Sequence, residues 1–275
     1  MSARIMKSHP ADRPQEQADG NPLLRQGLVI LALLGTLVIN YLATALPING
    51  VTPGDISDQF PVRFTPAGYV FSIWSLIYLG LSAYAVYQAL PSQRHNPRLR
   101  AIARPFVLSC LANSLWIFAW HYGYLPVSLL LMLVLLGALI TIYARLAPTF
   151  RTVTALERWT THLPFRIYLG WITVATIANT TIVLYAQGWS GAPLSASVWA
   201  VILLGVVAVL GGFFALALRD AAYTLVLVWA LIGIYVKQQD APLVAYTAAG
   251  LALVLALAAL YALVSQASAK AQSAA

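Results

Sequence analysis

The stretch FTPAGYVFSIWSLIYLG (64–80) reads as the entry of a membrane helix with a purpose beyond spanning. Thr65 and Pro66 supply a helix start, with Thr65 as N-cap and Pro66 in the first turn, where its missing N–H is not needed. Behind them Phe71, Trp74 and Tyr78 stand at i, i+3 and i+7 and so share one helix face. Hydrocarbon demands only apolar side chains, so large aromatic and amide groups held at mid-depth call for a further reason. A binding pocket is one. The combination recurs in NSLWIFAW (113–120) and WITVATIAN (171–179).

Working outward, 60% of the 275 residues are hydrophobic and only 9% charged, against roughly a quarter charged in soluble domains. This composition is that of an all-α integral membrane protein. A bilayer crossing takes about 20 apolar residues, and eight runs qualify: 28–46, 67–90, 105–124, 126–144, 164–186, 194–218, 221–236 and 241–264. The seventh is the shortest; without it the count falls to seven. With eight spans and both termini cytoplasmic, fourteen of the sixteen Lys and Arg residues fall inside, and only Arg63 and Lys237 outside. The inner set comprises Arg4, Lys7, Arg13, Arg25, Arg94, Arg98, Arg100, Arg104, Arg145, Arg151, Arg158, Arg166, Arg219 and Lys270, as the positive-inside rule requires. The net charge of +8 is therefore topological, and no nucleic-acid module is expected. A multi-pass protein of a bacterial cytoplasmic membrane is the corresponding localisation. No signal peptide is visible in the first 22 residues. Cys110, the single cysteine, forms no intrachain disulfide and reads as a small buried residue.

Polar seams mark four spans. Span 1 carries Thr36, Asn40 and Thr44; span 3 carries Ser109, Asn113, Trp116 and Trp120; span 5 carries Tyr168, Trp171, Ala175 and Asn179, with Thr173, Thr176 and Thr180 on a neighbouring face. Trp159, Trp189 and Trp199 lie near span ends and fit an interfacial belt. Trp74, Trp116 and Trp171 lie roughly 11 to 17 Å deep at 1.5 Å per residue, which makes them pocket candidates. For Asn113 and Asn179, interhelical bonding and pocket lining are both open. Trp229 lacks polar company and reads as packing. The last three spans are rich in Ala, Leu and Val, with Ala248, Ala252 and Ala256 in a small-xxx-small stripe, and read as scaffold.

Spans 1 to 5 resemble the TspO/MBR family, the tryptophan-rich sensory proteins related to the translocator protein (peripheral benzodiazepine receptor). The likeness rests on Thr65, Pro66, Gly68, Phe71, Trp74 and Tyr78 in the second helix, Asn113 and Trp116 in the third, and Trp171, Thr173, Ala175, Thr176 and Asn179 in the fifth. Tyr69 and Phe118 depart from it, standing where the family usually has Trp and Pro. The resemblance implies a TspO-like five-helix bundle over 25–187 with a lid loop at 46–66 and says nothing of spans 6 to 8; the span count adds about three additional transmembrane helices as a membrane extension over 188–264, with cytoplasmic tails at 1–24 and 265–275. It further implies binding of flat hydrophobic ligands such as porphyrin, haem or sterols as sensor, regulator or carrier, in contact with membrane lipid and often as a homodimer. The ligand-binding residues that the seams and the resemblance together point to are Phe71, Trp74, Tyr78, Asn113, Trp116, Trp120, Trp171, Ala175, Asn179 and Asn40.

Two other classes are weighed. An ion-coupled transporter usually keeps an acid within the membrane, and all eight acids are expected outside the apolar cores, which leaves facilitated passage without ion coupling. An enzyme needs converging catalytic groups. His9, His95, His121 and His162 are scattered without metal-ligand spacing, and only His121 comes near the candidate pocket. No catalytic residue, metal or obligatory cofactor is assigned; an enzyme acting on a tetrapyrrole is the form this class would take.

Overall fold

The computed structural model describes residues 21–149 and 152–274. Outside the described residues lie the expected tail as far as residue 20, with Arg4, Lys7, Arg13, His9, Asp12, Glu16 and Asp19, together with Arg151 and Ala275. Among the described residues the protein is all-α. Its helices are α1 (Pro22–Ala45), a short α2 (Pro53–Asp58), α3 (Ile73–Ala89), α4 (Pro97–His121), α5 (Leu125–Leu146), one turn α6 (Ala155–Glu157), α7 (Leu163–Ala186), α8 (Ala196–Leu216), α9 (Ala221–Lys237) and α10 (Pro242–Ala274). Among the described residues seven segments are long and apolar enough to cross a membrane, α3 counting from Gly68 and α7 from Ala155; α9 is shorter. The helix that begins at Pro242 runs on through the expected C-terminal tail to Ala274.

Helix starts follow local chemistry. Asn21 accepts the Leu23 N–H at 2.9 Å ahead of Pro22, and Asn96 accepts the Arg98 N–H at 3.0 Å ahead of Pro97, each capping an end whose first N–H groups lack intrahelical partners. Ser195 and Asp220 do the same for α8 and α9. Two starts differ from the sequence reading. Helical structure in span 2 begins with a tight turn at Gly68–Ser72 rather than at Pro66, because the Ala67 N–H is drawn to the Gly233 carbonyl of α9 at 3.0 Å. Span 3 begins at Pro97, ahead of the expected 105, and runs through Pro105. Proline removes the bond to the carbonyl four residues back, and the guanidinium of Arg145 from α5 takes up that Ala101 carbonyl.

α1, α4, α5, α7 and α3 pack in that order into a closed ring, and α9 packs on the outside of α7 and carries α8 and α10. Small residues permit the closest approaches. Ala248 and Ala252 are buried as the stripe predicts, and a Cβ on Gly211 would stand 2.6 Å from Leu255 of α10. α9 crosses the full height of the bundle. At its N-terminus Asp220 accepts from the Tyr143 hydroxyl at 2.9 Å and faces Arg166 Nε at 3.4 Å; at its other end Lys237 pairs with Asp58 of the lid. Its 17 residues reach only about 25 Å, against a hydrocarbon core of about 30 Å.

The basic residues gather at the end away from the lid: Arg25 donates to the Arg94 carbonyl at 2.9 Å, and Arg98 grips Glu157 at 2.6 and 2.8 Å. The expectation that acids lie outside the apolar cores needs refinement here. Glu157 and Asp220 sit at span ends yet are 2% and 0% exposed. Burial of a carboxylate is tolerable because each is held by a cation and a tyrosine hydroxyl.

Candidate functional site: an aromatic cavity beneath a latched lid

Two amide clasps hold the ring together. Asn40 of α1 donates to Asn113 Oδ1 at 2.7 Å, and Asn113 donates to the Tyr168 hydroxyl at 3.1 Å, linking α1, α4 and α7. Further towards the lid, Asn179 Oδ1 accepts the Trp116 indole N–H at 3.3 Å while its Nδ2 donates to Ser128 of α5 at 3.1 Å. Buried amides leave no group unpaired in this arrangement, which removes the desolvation cost an isolated amide would carry.

Aromatic rings fill the space between the clasps and the lid. Trp74 stacks on Tyr78 at 5.3 Å and meets Trp171 edge-on at 6.2 Å; Phe71 meets Trp171 edge-on at 5.7 Å; Trp116 stacks on Trp120 at 5.6 Å. These are the offset and T-shaped contacts that ring quadrupoles favour. They enclose a cavity of about 40 Å³ walled by Trp74, Trp116, Trp120, Trp171, Ala175 and Asn179, room for about three waters. The Trp171 indole N–H is buried there with no hydrogen-bond partner. Phe71 and Trp74 are at the same time the wall of a much larger cleft of about 800 Å³ that runs between α1, α3 and the lid past Asn40, Tyr41, Tyr69 and Tyr78. Ligand pockets occupy about 300–1,000 Å³, so the cleft has the size for a flat macrocycle and the closed cavity does not.

The lid is a built structure. Thr52 and Asp55 form a reciprocal capping box at the start of α2: the Asp55 N–H donates to Thr52 Oγ1 at 3.3 Å, and the Thr52 N–H donates to Asp55 Oδ2 at 2.8 Å. Hydrogen bonds from Thr52 hold the Asp55 carboxyl below its ordinary range, so a fixed negative charge stands at the mouth of the cleft. On one side Trp120 Nε1 donates to the Pro53 carbonyl at 3.1 Å and Asn49 donates to the His121 carbonyl at 3.0 Å. On the other, Arg63 pairs with Asp240 at 2.5 Å and Lys237 with Asp58. Arg63 lowers the Asp240 carboxyl as well. The two basic residues expected on the outer side thus both tie the lid to the α9–α10 turn.

Of the residues singled out in the sequence, Trp74, Trp116, Trp120, Trp171, Ala175, Asn179 and Phe71 line the closed cavity. Asn40 and Tyr78 face the cleft. Asn113 is fully buried and spent on the clasp. Trp229 is more than packing filler: its N–H donates to the Val70 carbonyl at 3.1 Å, and its ring meets Tyr69 edge-on at 5.3 Å. An indole from α9 therefore stands beside the position at which this chain departs from the family pattern. Sequence reasoning passed over Ser57, Met132 and Ser128. Ser128 had a signal, being the one polar group in the apolar run from Leu125 to Ile140.

Of three comparisons with known proteins, one gives a match. A family model described as TSPO-like protein matches residues 26–261, through all of α7 to α9 and most of α10. No curated protein matches, and no solved structure matches.

Proposed function

Since the chain belongs to the TSPO-like protein family, we propose that it binds a planar apolar ligand of the porphyrin, haem or sterol kind, and acts as a lid-gated sensor or carrier. The observation that carries this reading is the shared wall: Phe71 and Trp74 separate a closed aromatic cavity from a cleft of about 800 Å³. A flat ligand enters the cleft between α1 and α3, stacks on Trp74 and Tyr78, and gains dispersion and ring contacts worth about 0.5–1.5 kcal/mol per aromatic pair beyond area burial. If Phe71 and Trp74 swing towards α1, the 40 Å³ cavity merges with the cleft, and the unpaired Trp171 N–H meets an acceptor on the ligand. Satisfying a buried donor is favoured because leaving it unmade costs about 1–3 kcal/mol. No ionisable group lines the closed cavity, which favours recognition of ring shape over charge.

Gating falls to the lid, which is clasped to α4 by Trp120 and to the α9–α10 turn by two exposed ion pairs. Such pairs are screened by solvent and stabilise little, enough to bias a lid and too little to lock it. The reading is tested by extracting the full chain from its membrane in mild detergent and identifying the small molecules that copurify. A tetrapyrrole or other fused-ring compound is expected; bilayer phospholipid alone would count against it.

A further inference from the structure

α7 and α8 are consecutive in the chain and make little direct contact, because α9 packs against both of them. At the lid end the gap between them is a cavity of about 380 Å³, closed above by Pro61–Phe64 and the α7–α8 loop. It shares no lining residue with the aromatic cavity, since the two lie on different faces of α7. The loop is shaped to hold the gap. Trp199 Nε1 donates to the Gly191 carbonyl at 2.7 Å and packs on Trp189 with ring centres 5.1 Å apart. Gly191 adopts φ +76°, and a Cβ there would stand 2.9 Å from the Trp199 ring, so no other residue fits without moving that indole.

One wall of this cavity is polar in a specific sense. Thr176, Thr180 and Thr181 line it, and each hydroxyl donates back to its own helix: to the Ile172 carbonyl at 2.7 Å, the Thr176 carbonyl at 2.8 Å and the Ala178 carbonyl at 2.7 Å. With the protons so used, the oxygens present lone pairs to the cavity. The row starts about 8 Å below the end of α7 at 1.5 Å per residue, deep enough that water is a poor partner. Ile177, Leu184 and Leu203 give the cavity its apolar walls, and Arg63, Tyr185 and Ser190 line its lid end.

We propose that this cavity is a second ligand site, for a neutral amphiphile that donates a hydrogen bond from a hydroxyl: a long-chain alcohol. A volume near the low end of the usual 300–1,000 Å³ suits one chain and not a two-chain phospholipid. The hydroxyl proton goes to the threonine oxygens, and the chain lies along Ile177, Leu184 and Leu203. Its chemistry is the converse of the aromatic cavity, where the unpaired group is a donor.

The test uses full-length protein in nanodiscs, with a diazirine-bearing hexadecanol and its methyl ether as probes. The alcohol should label residues 176–203 saturably and be displaced by plain hexadecanol. The ether should label about fivefold less, the size of one net hydrogen bond. Thr176→Val with Thr180→Val and Thr181→Val, which keeps side-chain shape, should bring alcohol labelling down to the ether's value. Ala196→Leu at the exposed mouth should block labelling by both probes. Tryptophan quenching by porphyrin should be unchanged in all these variants. Equal labelling by alcohol and ether, full labelling in the valine variant or in Ala196→Leu, or labelling that rises linearly over every helix as for solvating lipid would each overturn the proposal.

Discussion

At Gly233 the C-terminal spans meet the start of span 2 at close range, and Gly233→Ala should loosen both. A Cβ at this position would lie 2.2 Å from Val70 Cγ2 and 3.0 Å from Pro66 Cβ, whereas carbon atoms pack at about 3.5–4.0 Å. Neither neighbour can yield: Val70 is fully buried and β-branched, hence stiff at χ1, and Pro66 is a ring. The chain at 66–70 must therefore separate from α9 by about an ångström, at the expense of the Ala67 N–H to Gly233 carbonyl bond and the Trp229 N–H to Val70 carbonyl bond. Overpacking costs about 1–3 kcal/mol and each weakened bond about 1 kcal/mol; the better helix propensity of Ala returns at most about 1 kcal/mol. The net expectation is a loss of about 2–4 kcal/mol in reversible unfolding in mixed micelles. Tyr69 and Phe71 flank Val70 and line the cleft, so porphyrin affinity should fall several-fold with it. Val70→Ala removes the closest clash, and the double variant should recover at least about 1 kcal/mol relative to the sum of the single changes. A Gly233→Ala protein as stable as the parent, or a strictly additive cycle, would refute the docking of α9 on this segment.

Asn179→Leu should cost about 1 kcal/mol in the same unfolding assay, since it strands the Trp116 N–H and interhelical bonds in membranes average about 0.6 kcal/mol with a maximum near 1.7; Ser128→Ala should cost less, because Ser128 also bonds its own helix at Leu125. Asp55 is a carboxyl with a depressed pKa, so its cap on the lid is fully present above the ordinary value of 3.8 and is lost only as pH falls through the lowered value; lid amide exchange, corrected for intrinsic rate, should be flat from about pH 5 to 8 and rise only in stronger acid. For the same reason Asp55→Asn should tighten binding of a dicarboxylate porphyrin about twofold and leave its dimethyl ester unaffected, as a single screened charge near the mouth requires. Reporters fused ahead of residue 21 and after Gln266 should both read as cytoplasmic, because the basic ends of α1, α4, α5 and α7 cluster at one end of the bundle and α9 crosses to the other; opposite readings would mean an odd number of crossings.

Hydrocarbon solvation makes helices easy to see in a sequence, since every span must be apolar along its length, and the eight expected runs each correspond to a helix within a few residues apart from α1, α4 and α10, which extend further. The aromatic seams were legible for a related reason: Trp74, Trp116 and Trp171 share mid-depth with amides, and helical spacing alone puts each on one face. Periodicity says which residues share a face but not which neighbour that face meets. Hence Asn113 and Asn179 looked alike in sequence, while one is consumed in a clasp to Asn40 and Tyr168 and the other lines the cavity. Contacts between distant segments leave even less trace. The Gly233 carbonyl that delays the helix after Pro66, and the Arg145 side chain that lets α4 run through Pro105, stand 166 and 44 residues from the Ala67 and Ala101 groups they bond. Glu157 and Asp220 looked like loop acids because charge at a span end is usually solvated; here the folded ends bury both against arginine and tyrosine.

The central claim is that a planar ligand stacks on the wall between cavity and cleft. The direct measurement is titration of full-length protein in detergent with protoporphyrin dimethyl ester, following tryptophan fluorescence, for the parent and for Trp74→Leu with Trp171→Leu. Saturable quenching is predicted for the parent, with affinity weakened about tenfold or more in the double variant, as the loss of the Trp74 stacking wall at about 0.5–1.5 kcal/mol together with the Trp171 N–H bond at about 0.5–1.5 kcal/mol entails, and with Trp159→Leu and Trp189→Leu close to the parent. Undiminished affinity in the Trp74/Trp171 variant, confirmed folded by its unfolding transition, would contradict the account.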